Sequence, residues 1–259
     1  MFTIRNGGYM RKTILVIGMI IGMAGAAFAE KSPEEVTKIF IAAIADGNLE
    51  SAMKVCATDD YASGFNFEGF TEYLRAITIP SSPPGSSDFY RRITRYEQTG
   101  NLARQIQYFC YSFSGNAEAK ELSQGKTVLA DNPEVIGRFV ADTDVSKLKG
   151  LKVRKFILLR PGNGTKMKQR WDNQARMYGA QECLDAAVLL DLNGRTYRMG
   201  IEFLRYKSGW KIFALYSAIL NIGVLEGATL MSEEDFDSIE KEMSWILTMP
   251  AVKPEENDD

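Results

Sequence analysis

The dipeptide Asn193-Gly194 constrains this chain's fold more than any other feature. Asn-Gly between two alternating apolar runs is a strong hairpin signal, because both positions of a two-residue turn need φ > 0. A turn there puts Leu192 opposite Arg195, and the register follows by counting outward. Leu190 then faces Tyr197, Val188 faces Met199, Ala186 faces Ile201 and Leu184 faces Phe203. From Leu190 outward every pair is apolar, and a slip of one residue would destroy that agreement. Ser208-Gly209 predicts a second turn, with Phe203 opposite Ala214 and Ile201 opposite Tyr216. Three antiparallel strands over residues 183–217 would then share one apolar face that helices can cover.

Helices are written on either side of this meander. Ser32-Pro33-Glu34-Glu35 offers an N-cap, a proline at the first helical position and a capping-box glutamate. Val36, Ile39, Phe40, Ala43 and Ile44 follow at helical spacing, and Gly47 predicts a left-handed stop. Leu49, Ala52, Met53 and Cys56 predict a short second helix, and Phe67, Phe70, Leu74 and Ile77 a third. Pro80–Ser87 reads as a loop. Phe89 to Phe113 reads as extended, with Thr99-Gly100-Asn101 turning a hairpin. Asp131-Asn132-Pro133-Glu134 opens a short helix through Val140. Val153–Leu159 predicts a strand ended by Pro161-Gly162-Asn163-Gly164, and Lys166–Tyr178 a polar helix carrying Trp171. Ser232-Glu233-Glu234-Asp235 caps a last helix with the stripe Phe236, Ile239, Met243 and Ile246.

The first 29 residues bear on location rather than fold. Arg11 and Lys12, the apolar run Ile14 to Gly25 and the small-x-small site Ala27-Phe28-Ala29 have the layout of a secretory signal peptide. The run is shorter than the ~20 residues a spanning helix needs, although an uncleaved N-terminal membrane anchor stands as the alternative. Cleavage after Ala29 predicts a secreted or periplasmic protein, residues 30–259. The leader removes Arg5, Arg11 and Lys12 and no acid. The 31 basic residues fall to 28 against 33 acidic ones, a net charge of −5. Such a balance argues against a nucleic-acid partner, which needs a clustered positive field.

Composition excludes further chemistry. The chain has no histidine, so Ser-His-Asp and Cys-His catalysis and His-ligated metals are out. It has no Gly-rich phosphate loop and no EF-hand pattern, and Cys56, Cys110 and Cys183 lack metal-ligand spacing. No catalytic residue, metal or cofactor is therefore assigned. Three cysteines allow at most one intramolecular bridge, and they read most simply as small buried hydrophobes.

Two segments carry a family resemblance. Ser32-Pro33-Glu34-Glu35-Val36 with Phe40, Asp46-Gly47-Asn48 and Ala52 resembles the opening of exported NTF2-like (SnoaL/ketosteroid-isomerase-like) proteins. Tyr197 to Tyr216, with Lys207-Ser208-Gly209-Trp210-Lys211-Ile212, is similar to that superfamily's closing hairpin. The resemblance covers residues 32–56 and 183–217. It implies an α+β fold: a curved antiparallel sheet covered by N-terminal helices into a cone with an apolar pocket. An insertion around 115–180 and a C-terminal helix would complete a domain running from 30 to 248, followed by an acidic disordered tail from 249 to 259. The superfamily includes isomerases, dehydratases and binding domains without catalysis, and fold does not choose among them.

The second face of the meander holds the candidate site. The same register places Asp185 opposite Glu202 and Leu189 opposite Arg198. Facing carboxylates repel when ionised; buried, one of them takes a raised pKa, as a general acid or base does. Arg198 could neutralise the pair or bind an anion. On the alternative reading this is the solvated back of the sheet, with its charges fanned into water. Trp171, Trp210 and Tyr216 are either pocket walls or plain core. The basic cluster Arg91-Arg92-Ile93-Thr94-Arg95 reads as the exposed side of an amphipathic strand.

The sequence thus predicts an exported envelope protein that binds a small apolar or amphipathic ligand, or serves as an accessory module, without catalysis. A pocket enzyme using Asp, Glu or Tyr for proton transfer, and a structural module using the sheet face, are the alternatives. A homodimer is compatible with either, and no membrane span is expected after cleavage.

Overall fold

The computed structural model describes residues 30–77, 87–123, 126–130, 132–217, 219–220 and 227–251. The leader at 1–29, the loop at 80–86 and the acidic end Pro254–Asp259 lie outside these residues. Among the described residues the order is α1 (Pro33–Ala45), α2 (Leu49–Met53), α3 (Asp59–Gly64), α4 (Phe67–Leu74), α5 (Asp88–Ser112), α6 (Ala117–Ser123) and α7 (Pro133–Asp142). A 3-10 turn at Val145–Leu148 leads into β1 (Lys152–Leu159), α8 (Lys166–Met177), β2 (Glu182–Leu192), β3 (Arg195–Tyr206), β4 (Gly209–Ala214), β5 (Thr229–Leu230) and α9 (Glu233–Thr248). These elements belong to one contact unit, Lys31–Asp259.

The fold is α+β. An open antiparallel sheet runs β1-β2-β3-β4, and β5 pairs with β3 at Tyr197 and Arg198. The β2–β3 ladder holds the register set by Asn193-Gly194 from Leu192↔Arg195 out to Glu182↔Arg205. Asn193 and Gly194 both take positive φ, 54° and 79°. The second turn departs from expectation. Lys207 and Ser208 form it, one residue earlier than the expected Ser208-Gly209. Tyr206 faces Gly209 and Phe203 faces Ile212; the ladder then shifts so that Glu202 faces Ala214. Gly209 carries its positive φ of 105° at the strand entry, a position glycine suits as well as a turn corner.

Helices pack on both faces of the sheet. On one face, Val36, Phe40 and Ile44 of α1 and Leu102, Ile106 and Phe109 of α5 meet Ala186, Val188, Leu190, Met199, Ile201 and Phe203. On the other, Trp171 and Ala175 of α8 and Phe236, Ile239 and Leu247 of α9 meet Cys183, Ala187, Leu189, Leu204 and Tyr206. Each large apolar side chain buried this way contributes roughly 1.5–3 kcal/mol. The N-terminal helix starts as its sequence dictates. Ser32 accepts from the Glu35 amide and Glu35 accepts from the Ser32 amide, which closes the capping box. Ser232 caps α9 with its hydroxyl, which accepts from the Asp235 amide. No helix of the described residues is long and apolar enough to cross a membrane.

The segment expected to be an extended hairpin is instead the 25-residue helix α5. Its buried positions, Thr94, Gln98, Leu102, Ile106 and Phe109, recur at helical spacing. Two of the five are polar, which makes the stripe hard to see, and the aromatic and β-branched residues around them imitate a strand. The threonine hydroxyls are satisfied inside the helix: Thr94 donates to the Tyr90 carbonyl and Thr99 to that of Arg95. Gln98 crosses to the sheet and donates to the Phe213 carbonyl. Arg91, Arg92 and Arg95 are therefore exposed on a helix, not a strand, and Arg95 pairs with Asp59.

Two glycines give opposite predictions. Gly100 lies within α5, and a Cβ there would meet nothing within 4 Å. Gly179 has φ +65°, and a Cβ there would sit 2.1 Å from the Gly64 carbonyl oxygen. In chemical denaturation, Gly100→Ala should stabilise the protein by about 1 kcal/mol through helix propensity. Gly179→Ala should destabilise it by more than about 2 kcal/mol. Destabilisation by Gly100→Ala would contradict the helix and restore the hairpin.

Candidate functional site

The β2–β3 register brings Asp185 directly opposite Glu202, as the sequence predicts. The solvated reading of their face does not hold. α8 and α9 cover it, leaving Asp185 1% and Glu202 7% exposed. Alternation along β2 puts Asp185 in line with Cys183, Ala187 and Leu189, all buried. Two carboxyl groups are thus held in an apolar layer by the same ladder that aligns the core.

Each acid has one well-defined partner. The Ser217 hydroxyl donates to Asp185 Oδ2 at 2.5 Å, while accepting from the amides of Ile219 and Leu220 at 3.3 Å each. Asp185 Oδ1 is buried with no hydrogen-bond partner. The Gln174 side chain of α8 donates to Glu202 Oε1, and the Cys183 sulfur lies 4.0 Å from the same oxygen. Burial pushes the Asp185 carboxyl up to about 7, against the opposing pull of Ser217 and of Arg170. Burial, and then the charge of Asp185, pushes Glu202 well above the usual carboxylate range, while Arg170 and Gln174 pull it down. With both groups raised, at least one proton stays on the pair into the neutral range.

The other candidates fall elsewhere. Arg198 lies opposite Leu189 and, on the other side, Thr229; it is half-buried, and Glu242 of α9 supports its charge against burial. Four residues along β3 put it roughly 13 Å from Glu202. The cation whose field reaches the acids is Arg170 of α8. Trp171 is 3% exposed, within the core under α8. Tyr216 follows β4 and is half-buried. Ser217, Gln174 and Arg170 were not singled out in the sequence. Gln174 and Arg170 stand at i and i−4 on one side of α8, a spacing that becomes informative only once that helix is placed.

The pair can hold or pass a proton, but little around it is reactive. Burial, and then the charge of Glu202, pushes the Cys183 thiol well above its usual range, away from thiolate chemistry. Burial likewise raises the Tyr178 and Tyr206 phenols and lifts Tyr61 to about 12. All three cysteines are free thiols. Among the described residues no cluster of three or more Asp, Glu, Cys or His could hold a metal ion.

Two open grooves lie near these elements. One, about 550 Å³, runs between α4, α8 and α9, with Tyr73, Lys166, Met167, Arg170, Trp245 and Met249 among its lining residues. The other, about 580 Å³, is lined by Tyr61, Phe65, Phe70, Tyr96, Tyr178 and Phe213 and by polar side chains of α5. Asp185, Glu202, Trp171, Arg198 and Tyr216 line neither.

No family model and no curated protein matches the chain. One solved structure, a cystatin-like protein from Ruminococcus gnavus ATCC 29149, is similar in fold, with a TM-score of 0.50 and 19% identity. The match covers 85% of this chain and 48% of that one, so the chain spans about half the length of its structural neighbour.

The acid pair makes stability depend on pH. A carboxyl raised in the folded state stabilises fully below its unfolded value near 4. That contribution is lost as pH rises through the folded value, about 7 for Asp185 and higher for Glu202. Glu202→Gln removes the Glu202 titration and its charge repulsion with Asp185, which still titrates. Its melting temperature should match wild type at pH 5 and exceed it by several degrees at pH 8, where ~1 kcal/mol corresponds to about 2–4 °C. A wild-type melting curve that does not change between pH 5 and 8 contradicts the buried pair.

Proposed function

We propose that this is an exported, non-catalytic ligand-binding or accessory protein of the cell envelope, built on an NTF2-like frame. Its ligand is a small amphipathic molecule seated in the groove between α4, α8 and α9. The carrying observation is the groove's lining. Trp245, Tyr73 and Met249 remain 60%, 48% and 38% exposed there, beside Lys166 and Arg170. Large apolar side chains gathered at one exposed place mark a binding surface, and about 550 Å³ is small-molecule size.

The expected cone interior does not offer that space. Phe40, Leu102, Phe109, Ile201 and Phe203 fill the layer between α1, α5 and the sheet, each fully buried. A pocket enzyme remains the second reading, favoured by the orphan oxygen and raised pKa of Asp185. Against it, the pair lies beneath α8 and lines neither groove, so a substrate would reach it only if that helix lifted.

Native mass spectrometry of residues 30–259 from the exported fraction tests the binding reading. The wild-type chain should carry an added mass that is lost on denaturation. Trp245→Ala should lower the occupancy about tenfold or more, as truncating an aromatic anchor that the bound partner covers does. A clean apo mass for the wild type, or equal occupancy in the variant, contradicts it.

A further inference from the structure

We propose that the groove between α4, α8 and α9 selects a free single-chain amphiphilic anion, with its headgroup on Arg170 and Lys166 and its chain against Trp245, Ile246 and Met249. This rests on the reading of that groove as the binding site and adds the sign of the ligand's charge.

The argument is one of charge and shape. The charged side chains that line the groove are Lys166 and Arg170, both on α8, and its lining contains no acid. Asn173 and Gln169 extend the same wall with neutral donors and acceptors. Lys166 is the first residue of α8, where the helix N-terminus adds partial positive charge. Lys168, on the same helix, is paired with Asp172 and does not line the groove. The facing wall is apolar. Trp245, Ile246 and Met249 come from the end of α9 and the residue after it and Tyr73 from α4, while Met167 adds an apolar group on the α8 side. An amphiphilic cation would set its charge beside two like charges, and a fully polar anion would leave the Trp245 wall unused. A guanidinium binds sulfonate or carboxylate oxygens through paired N–H donors, which gives the headgroup end its specificity. At about 550 Å³ the groove fits one chain better than an extended lipid surface.

Three decyl probes separate the possibilities in calorimetric titrations of residues 30–259 at concentrations below micelle formation. They are decanesulfonate, which does not titrate; decyl maltoside, which is neutral; and decyltrimethylammonium. Decanesulfonate should bind at least about tenfold more tightly than the ammonium probe. Arg170→Gln and Lys166→Gln should each weaken decanesulfonate by about tenfold and leave decyl maltoside within about twofold. Both positions are exposed, so the variants should melt as wild type does at pH 5. Equal affinity for the two charged probes, or a uniform loss for all three in the variants, overturns the anion assignment and leaves the groove reading standing. No binding of any probe overturns both. Binding to phosphatidylglycerol vesicles without decanesulfonate binding overturns the assignment in favour of a membrane surface.

Discussion

The β2–β3 ladder is covered on both faces, and the other elements are placed by that double burial. A sheet with one covered face can turn its charges to water; one between two helical layers cannot. Trp171, Ala175, Phe236 and Ile239 need an apolar surface and find it in Ala187, Leu189 and Leu204. That closes the second face over Asp185 and Glu202. Two ionised carboxylates opposed in such a layer are costly, so the pair keeps a proton, and Ser217 and Gln174 bind the remaining charge. The acid pair is thus a consequence of the layering, and the field of Arg170 ties it electrostatically to the groove wall.

Much of this was legible in the sequence. Asn193-Gly194 set the register of the central hairpin, and the pairing of Asp185 with Glu202 followed from it. The capping box at Ser32 and the cap at Ser232 marked the helices that cover the two faces. Burial of the acid pair was less legible, because it depends on where two distant helices land. The stripes of α8 and α9 each needed a surface, and the one sheet face left uncovered by α1 and α5 was theirs. The polar composition of α8 hid this, since Trp171, Ala175 and Met177 are its only buried residues. α5 failed for a related reason. Thr94 and Gln98 occupy core positions through hydrogen bonds to backbone carbonyls, which no hydropathy pattern records.

The candidate site divided along the same line. Asp185 and Glu202 came together as expected, whereas Arg198 and Tyr216 did not join them. Sequence distance concealed the groove, which draws on Tyr73, Lys166, Arg170 and Trp245 from three helices. Trp245 did leave a signal: it falls off the stripe of Phe236, Ile239, Met243 and Ile246, and an aromatic off the core stripe of an amphipathic helix is a candidate contact residue.

Carboxyl carbon chemical shifts of selectively labelled Asp185 and Glu202, followed by NMR across pH 3 to 9, test the central claim most directly. If the ladder is buried on both faces, neither carboxyl titrates near 4 as an exposed acid does. Asp185 should shift with a midpoint displaced toward 7 and Glu202 with one well above the usual range. Two ordinary titrations near 4 would mean that the face is open to water, and would contradict both the layering and the shared proton.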